Sequence, residues 1–405
     1  MTTPLSVLDL MQVAEGSTPA DAIGASIDLV QRAERLGYAR YWFAEHHLNP
    51  GMVGVSPALS IALAAGSTRR IRLGSAGVQI GHRTPLSVVE EFGLLAAVHP
   101  GRLDLGIGRS IGRAPPSNVA GADDRSSVAA AIANYRAAAG GKKHTEDERT
   151  QNGLLLPKGF DRSRVAQSPR LRLTLSLLQQ PGAYTPRYSE QIGELVALLG
   201  GSYRSTDGLE AHSQPGEGSA VELWILGASG GESADVAGAF GLRFAASYHH
   251  TPSTVLDAVS AYREAFRPGM DLSTAYIAVS ADAVVAPSDA EARHLASGYG
   301  LWVRSIRSGD GAIPYPHPET ASRHRWSEED RALVHDRVET QFVGSPQTVA
   351  DRLEQLRDAT GADELAVTTM THRHADRVRS YELLAAEWKR RGLWSATNDH
   401  AFDRP

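Results

Sequence analysis

The stretch YWFAEHHLN, Tyr41 to Asn49, places an acid and two adjacent histidines directly after an aromatic and apolar run. Imidazole changes its protonation state near neutral pH, so such residues transfer protons or bind metal ions. Side chains alternate along a strand. The alternation predicts that His46 shares one face with Trp42 and Ala44, whereas Glu45 and His47 point to the other side.

Two chemical roles follow for this histidine pair, a metal site and a proton-transfer site. A mononuclear metal needs ligands that converge from one side, and adjacent histidines on a strand diverge, so we expect no metal site. His46 at the end of a strand is then a candidate catalytic residue, and turnover should depend on a group that titrates near neutrality. A buried, hydrogen-bonded histidine is the alternative from position alone.

A second stretch, ILGASGGES at residues 225–233, combines serine and glycine at a predicted helix start. Ser229 with Glu232 three residues later fits a capping box, which would satisfy the helix's own free amides. Gly230 and Gly231 would then open that helix, although each costs roughly 1 kcal/mol relative to alanine. Glycines here let an anion approach the backbone N–H groups, and the helix dipole favours negative charge. The turn therefore predicts a phosphate site.

Two further features could complete such a site. Arg109 follows the sequence GIG at the end of a predicted strand, where a guanidinium could grip the same anion in a bidentate way. A surface salt bridge is the structural alternative for this arginine. The small residues of GSAGVQI, Gly74 to Ile80, either mark a bulge or allow a flat ligand to approach the backbone. Together these features outline the site of a phosphorylated planar cofactor.

The elements that must position these residues alternate between short apolar runs and segments of helical periodicity. The strands are predicted at residues 6–10, 38–47, 71–80, 102–108, 221–227, 242–248, 275–285 and 363–369. Eight strands alternating with helices form an α/β fold with a parallel sheet, and eight strands close into a TIM (β/α)8 barrel whose active site lies at their carboxyl ends. A doubly wound open sheet is the alternative, but no GxGxxG fingerprint follows the first strand.

The domain organisation follows from the same pattern. We predict a single barrel domain at residues 1–392, a long insertion after strand four at 112–187, and a C-terminal tail at 393–405. The insertion is rich in Ala, Gly, Ser, Arg and Gln, and long barrel loops of this kind are either substrate lids or disordered.

Composition narrows the possible partners. The 405 residues carry a net charge of -5, without the basic excess of nucleic-acid-binding proteins. The absence of cysteine excludes disulfides and thiolate metal sites, and no signal segment or apolar run of membrane length is evident. We therefore expect a cytoplasmic protein that binds a small molecule, neither nucleic acid nor a membrane.

Several segments resemble the bacterial luciferase-like flavin-dependent monooxygenases, among them YWFAEHHLN, HPGRLDLGIGRS, LWILGASGGESADVAGAFGLRFA and FVGSPQTVADRL. The resemblance runs from Ser6 to Ala385 apart from the insertion. It implies that reduced FMN, supplied by a separate and transiently bound flavin reductase, reacts with O₂ to form a flavin hydroperoxide that oxygenates a small organic substrate. It also implies a homo-oligomer, with a dimer favoured. A deazaflavin-dependent hydride-transfer oxidoreductase and a non-catalytic flavin-binding protein are the alternatives.

The resemblance also implies roles for individual residues. The residues that match the family's contacts to the flavin phosphate are Arg109, Ser229, Gly230 and Ser233, with Gly231 in the same turn. Ala76 and Gly77 match a pair joined by a cis peptide beneath the isoalloxazine ring, and His46 matches the active-site histidine. Neither the substrate nor the type of oxygenation is implied, because the insertion lies where the substrate would be covered.

Overall fold

The computed structural model describes residues 2–110, 144–161, 165, 168–180, 182–269 and 271–394. The strands in these ranges are β1 (Leu5–Asp9), β2 (Arg40–Phe43), β3 (Arg72–Ser75), β4 (Val78–Gln79), β5 (Leu103–Gly108), β6 (Glu148–Arg149), β7 (Leu155–Leu156), β8 (Val221–Gly227), β9 (Arg243–Ser247), β10 (Ile277–Val285), β11 (Phe342–Gly344) and β12 (Glu364–Thr368). Eight of them close a parallel ring in the order β1, β2, β3, β5, β8, β9, β10, β12, because β12 pairs with both β10 and β1. The predicted TIM barrel is confirmed.

Helices surround this ring. They are α1 (Pro19–Leu36), α2 (Pro57–Ala65), α3 (Pro85–Val98), α4 (Pro169–Leu178), α5 (Tyr188–Leu199), α6 (Glu232–Ala239), α7 (Val255–Ala265), α8 (Asp289–Leu295), α9 (Tyr299–Arg307), α10 (Pro318–Arg323), α11 (Glu328–Thr340), α12 (Pro346–Thr360) and α13 (His374–Arg390). None of the helices in the described ranges combines the length and the hydropathy needed to span a bilayer.

Helix α1 shows how local sequence sets these elements. Thr18 and Asp21 form a capping box at its start, and Gly37, with φ of 89°, ends it in the left-handed conformation that glycine adopts without strain. The buried residues of the helix recur at helical spacing, at Ala22, Ser26, Leu29, Val30 and Ala33. This apolar stripe lies against the barrel and leaves the charged residues in solvent.

The inside of the barrel is closed at its amino-terminal end by an ion network. The guanidinium of Arg40 contacts Asp104 at 2.9 Å, Glu222 at 2.8 Å and Glu364 at 3.0 Å. Buried charges are tolerated when they are paired in this way. The indole rings of Trp42 and Trp224 lie above the network with centroids 4.9 Å apart. The barrel is therefore filled below the two tryptophans and can accept a ligand only above them.

Two of the predicted strands are shorter than the sequence indicated by more than two residues. β2 ends at Phe43 because the chain then leaves the sheet, and the N–H of His46 donates to the carbonyl of Gly54 at 2.7 Å. The third strand is divided into β3 and β4 at the peptide bond between Ala76 and Gly77, which is cis.

Part of the insertion is integral to the barrel. β6 and β7 form an antiparallel hairpin, and Leu154 and Leu156 are buried in the main core. The hydroxyl of Tyr248 donates to the carbonyl of Leu155 at 2.8 Å, and His335 contacts Asp147 at 2.8 Å. Residues 144–161 are therefore structural. The prediction of a lid or of disorder at residues 112–143 lies outside the described residues.

Candidate active site

A cleft of about 240 Å³ lies at the carboxyl end of the barrel. Its apolar floor consists of side chains from the inner face of the ring, namely Leu8, Trp42, Ala44, Ala76, Leu226, Ala245, Ala278 and Ala366. A few polar groups lie on this floor, from His46, Ser247, His249 and Ser280. An apolar cavity with a small number of placed polar groups, at this end of a barrel, is typical of a ligand-binding site.

His46 faces this cleft together with Trp42 and Ala44, which confirms the predicted face. Burial lowers its pKa to about 4, with a further lowering by His47 that Glu45 partly offsets. Its Nδ1 atom is buried and has no hydrogen-bond partner among the described residues. His46 is therefore a neutral imidazole at pH 7 with one ring nitrogen available. The expectation that it titrates near neutrality is wrong, because sequence position does not reveal desolvation.

Glu45 and His47 lie on the opposite side, as predicted, where they meet a residue that the sequence analysis missed. Oε1 of Glu45 contacts Nε2 of His47 at 2.8 Å and Nε2 of His82 at 3.1 Å. Burial alone would raise the pKa of Glu45, but these contacts and the backbone N–H of Gln79 lower it to about 2. The ionised carboxylate ties β2 to the chain that follows β3 and so fixes the backbone beside His46.

The same three residues have ligand atoms within 4.8 Å of one another, a spacing that could hold a metal ion. The prediction of no metal considered only the adjacent histidines and could not anticipate His82. Nε of Arg83 lies 3.9 Å from the same oxygen of Glu45, which disfavours a cation there. Nδ1 of His82 is buried without a partner among the described residues, whereas a ligating histidine normally donates that N–H. The contacts favour a hydrogen-bonded support for the strand end.

The glycine-rich turn after β8 has a different structure from the one predicted. α6 begins at Glu232 with Gly231 as its N-cap and no side-chain cap, so the capping box between Ser229 and Glu232 is wrong. A Cβ on Gly230 would lie 2.9 Å from the carbonyl of Asp257, so this glycine allows close packing against α7. A Cβ on Gly231 would meet no atom within 4 Å. No side chain caps the start of α6, and open space lies beside Gly231.

Arg109 lies beside the start of α6. Its Nη1 contacts the carboxylate of Glu232 at 2.7 Å, so the carboxylate that was expected to cap the helix instead pairs with the arginine. The hydroxyl of Tyr188 donates to the carbonyl of Ile107 at 3.5 Å and contacts the side chain of Ser233, and burial raises the pKa of Tyr188, so the phenol stays protonated. A guanidinium, a phenol, a serine and a helix start thus converge where β5 and β8 end. Tyr188 was missed because it is the first residue of α5, where no sequence pattern marks it.

Small residues line the ends of β3 and β5 between His46 and Arg109. Ala76 lines the cleft, and the Cβ that Gly108 lacks would meet only the carbonyl of Val78, at 3.9 Å. Side chains larger than these would fill the space above β3 and β5. The described residues fit a planar ring over this floor with an attached phosphate at the start of α6.

His249 is a second histidine that the sequence analysis did not identify. It follows β9 in the stretch Tyr248 to His250 and lines the cleft with His46. Burial lowers its pKa to about 3, with smaller contributions from Arg337 and His46. Paired histidines at the end of a predicted strand, the same signal that singled out His46, could have found it.

Comparison with known proteins identifies related chains. The family model described as "Luciferase-like monooxygenase" matches residues 3–130 and 193–364. The Bacillus subtilis (strain 168) protein YvbT is 32% identical over 390 residues, 96% of this chain and 98% of YvbT. An Escherichia coli (strain K12) protein called "Luciferase-like monooxygenase" is 28% identical over 383 residues, which cover 94% of this chain and 96% of the E. coli protein. The crystal structure of apo-MsnO8 has a TM-score of 0.70 at 29% identity and covers 96% of this chain and 98% of that one.

Proposed function

The chain belongs to the luciferase-like monooxygenase family, and from that premise we propose that it is an FMN-dependent monooxygenase. It uses reduced FMN and O₂, through a flavin hydroperoxide, to oxygenate a small organic substrate. A separate flavin reductase, bound transiently, supplies the reduced cofactor. The alternative of deazaflavin-dependent hydride transfer uses the same phosphate site, so the cofactor itself must be tested.

The observation that carries this proposal is the arrangement of the cleft. A neutral histidine with an unpartnered ring nitrogen lies on the apolar floor at one end of the site, and Arg109 with the uncapped start of α6 lies at the other, where β5 and β8 end. A charged phosphate is favoured at the second end, where backbone N–H groups and a guanidinium are available. A planar, phosphorylated redox cofactor matches both ends at once.

The residues have distinct roles in this proposal. Arg109, Ser229, Gly230, Gly231 and Ser233 bind the phosphate, while Ala76 and Gly77 lie beneath the ring. The apolar floor excludes water from the reacting atoms, which protects a reactive oxygenated species from side reactions. His46, uncharged at neutral pH, exchanges a hydrogen bond or a proton with the reacting oxygen through Nδ1.

The cofactor assignment predicts a difference in binding that spectroscopy can measure. The purified protein is titrated with FMN and with the deazaflavin F420, in both the oxidised and the reduced states. We expect saturable changes in the absorbance of reduced FMN and weaker ones with the deazaflavin. Tight binding of the deazaflavin alone would replace the monooxygenase proposal with hydride transfer.

We also propose that the protein is a homodimer that buries the outer faces of α2 and α3. These adjacent helices carry apolar residues four positions apart that are more than half exposed, namely Leu59 (67%), Leu63 (57%), Leu94 (62%) and Val98 (72%). Such a contiguous apolar surface marks an interface. A second copy is its occupant in this proposal, because the two helices of each chain can pack as a four-helix unit across a two-fold axis.

The dimer is tested by charge substitution. Leu63→Glu with Leu94→Glu should shift the molar mass measured by light scattering from that of a dimer to that of a monomer. Leu209→Glu is the matched control, because Leu209 is also 67% exposed but belongs to the loop between α5 and β8 and to neither of these helices. A wild-type chain that is monomeric at micromolar concentration would contradict the proposal.

A further inference from the structure

The ring of His249 is held in one orientation on the wall of the cleft. Its Nδ1 lies 2.6 Å from Oγ of Ser280 and its backbone N–H donates to the carbonyl of Ser280 at 3.0 Å. Oγ of Ser247 lies 3.3 Å from the same ring nitrogen. Because backbone and ring are both bonded to β10, the side chain has little freedom to turn, and the other ring nitrogen is the one left for a ligand.

The hydrogen bonds of Ser280 indicate which ring nitrogen carries the proton. Its hydroxyl donates to the carbonyl of Ala246 at 3.3 Å, and a hydroxyl has only one hydrogen to give. The short contact with His249 is then made by the ring, with Nδ1–H as donor and the serine oxygen as acceptor. This tautomer, assigned from the hydrogen-bond network, leaves Nε2 of His249 as a lone pair.

The surroundings of His249 keep it uncharged. Burial and the nearby guanidinium of Arg337 both lower its pKa, to about 3. Arg337 is itself fixed by the hydroxyl of Tyr299 at 2.6 Å and by the carboxylate of Asp282 at 3.2 Å. A nitrogen of such low basicity does not hold a proton at neutral pH. It can accept a hydrogen bond, which distinguishes it from a general base.

We propose that His249 determines substrate specificity by accepting a hydrogen bond through Nε2 from an O–H or N–H group of the substrate. The inference rests on the proposed function, since it places a substrate in the cleft beside the cofactor. The substrate class is then a small, largely apolar molecule with one protic donor, such as a phenol or an alcohol. The apolar floor contacts the rest of the molecule, and the single acceptor orients the donor toward His249.

The test compares two probes that differ in one hydrogen-bond donor, phenol and its methyl ether, anisole. Their affinities are measured by calorimetry with the whole protein saturated with oxidised FMN, for wild type and His249→Leu. One hydrogen bond contributes about 0.5 to 1.5 kcal/mol. The ratio of phenol affinity to anisole affinity should therefore be about two- to tenfold higher in wild type than in His249→Leu. Tyr248→Phe, whose lost hydroxyl faces Leu155 outside the cleft, should keep the wild-type preference.

A second measurement reports on the ring itself. Nitrogen NMR of ¹⁵N-histidine-labelled protein should show His249 protonated on Nδ1, and Ser280→Ala should reduce that preference. An unchanged phenol preference in His249→Leu, or a proton found on Nε2, would overturn the inference. The affinities of both probes are also measured without flavin. If FMN does not bind, that result contradicts the proposed cofactor, while the probe affinities measured without flavin still test the role of His249.

Discussion

Replacing His46 by alanine is expected to lower turnover by roughly 10² to 10⁴-fold, the usual contribution of a residue that exchanges a proton in catalysis. The substitution removes the one ring nitrogen of the cleft that is buried without a partner among the described residues. FMN affinity should stay within about tenfold, because the phosphate contacts lie at the other end of the floor. The measurement is oxygenated product formed per reduced flavin consumed.

His47→Ala is the matched control for that substitution. His47 is the adjacent histidine, but it contacts Glu45 on the far side of the strand end and does not face the cleft. It should lower turnover much less than His46→Ala. Equal product yield and rate in wild type and His46→Ala would remove His46 from the mechanism, and activity that returns only with zinc after chelation would point instead to the cluster around Glu45.

The pH dependence follows from the lowered pKa of His46. With a pKa of about 4 in the folded state and 6.5 in the unfolded chain, the group stays neutral throughout the physiological range. Its contribution to turnover should be constant from pH 6 to 8 and should fall as the pH approaches 4. The folded state likewise loses stability as the pH falls from 6.5 towards 4, because the unfolded chain binds the proton more readily there.

Arg109→Ala is expected to weaken FMN binding by about 1.5 to 3 kcal/mol, the range for a hydrogen bond to a charged group. The guanidinium lies at the start of α6, where it contacts Glu232 at 2.7 Å. Binding is followed by flavin fluorescence, with riboflavin as the control ligand because it lacks the phosphate. A loss of riboflavin affinity as large as the loss of FMN affinity would show that Arg109 does not bind phosphate.

The ion pair between Arg109 and Glu232 suggests a second variant, which should have the opposite effect on FMN affinity. The carboxylate of Glu232 lies 2.7 Å from Nη1 of Arg109, so it competes with a phosphate for the guanidinium. Glu232→Gln should therefore leave FMN affinity unchanged or increase it. A large decrease would show that the carboxylate itself holds the cofactor or its binding turn.

Much of the barrel could be predicted because its elements are locally encoded. β8 occupies Val221 to Gly227, the same bounds that the sequence predicted, and β5 differs from its predicted bounds by one residue. Both are long enough for their pattern of apolar residues to be unambiguous. The face of His46 was also predictable, since the alternation of side chains continues from β2 to His46, although the strand itself ends at Phe43.

The remaining features depend on contacts between distant parts of the chain. Glu45 meets His82, 37 residues away, and Glu232 pairs with Arg109, 123 residues away, instead of capping its own helix. No local pattern encodes such pairs. The low pKa of His46 arises from burial by the whole barrel mouth, which a single strand cannot reveal. Local rules therefore placed the candidate residues at the strand ends, whereas their protonation states required the fold.

The most direct test of the proposed function is to mix the complex of this protein and reduced FMN with O₂ and to follow flavin absorbance in time. A monooxygenase of this kind should show a flavin hydroperoxide that precedes oxidised FMN and lasts longer in wild type than in His46→Ala. Direct return to oxidised FMN, at the rate of free reduced FMN and alike in both proteins, would contradict the account.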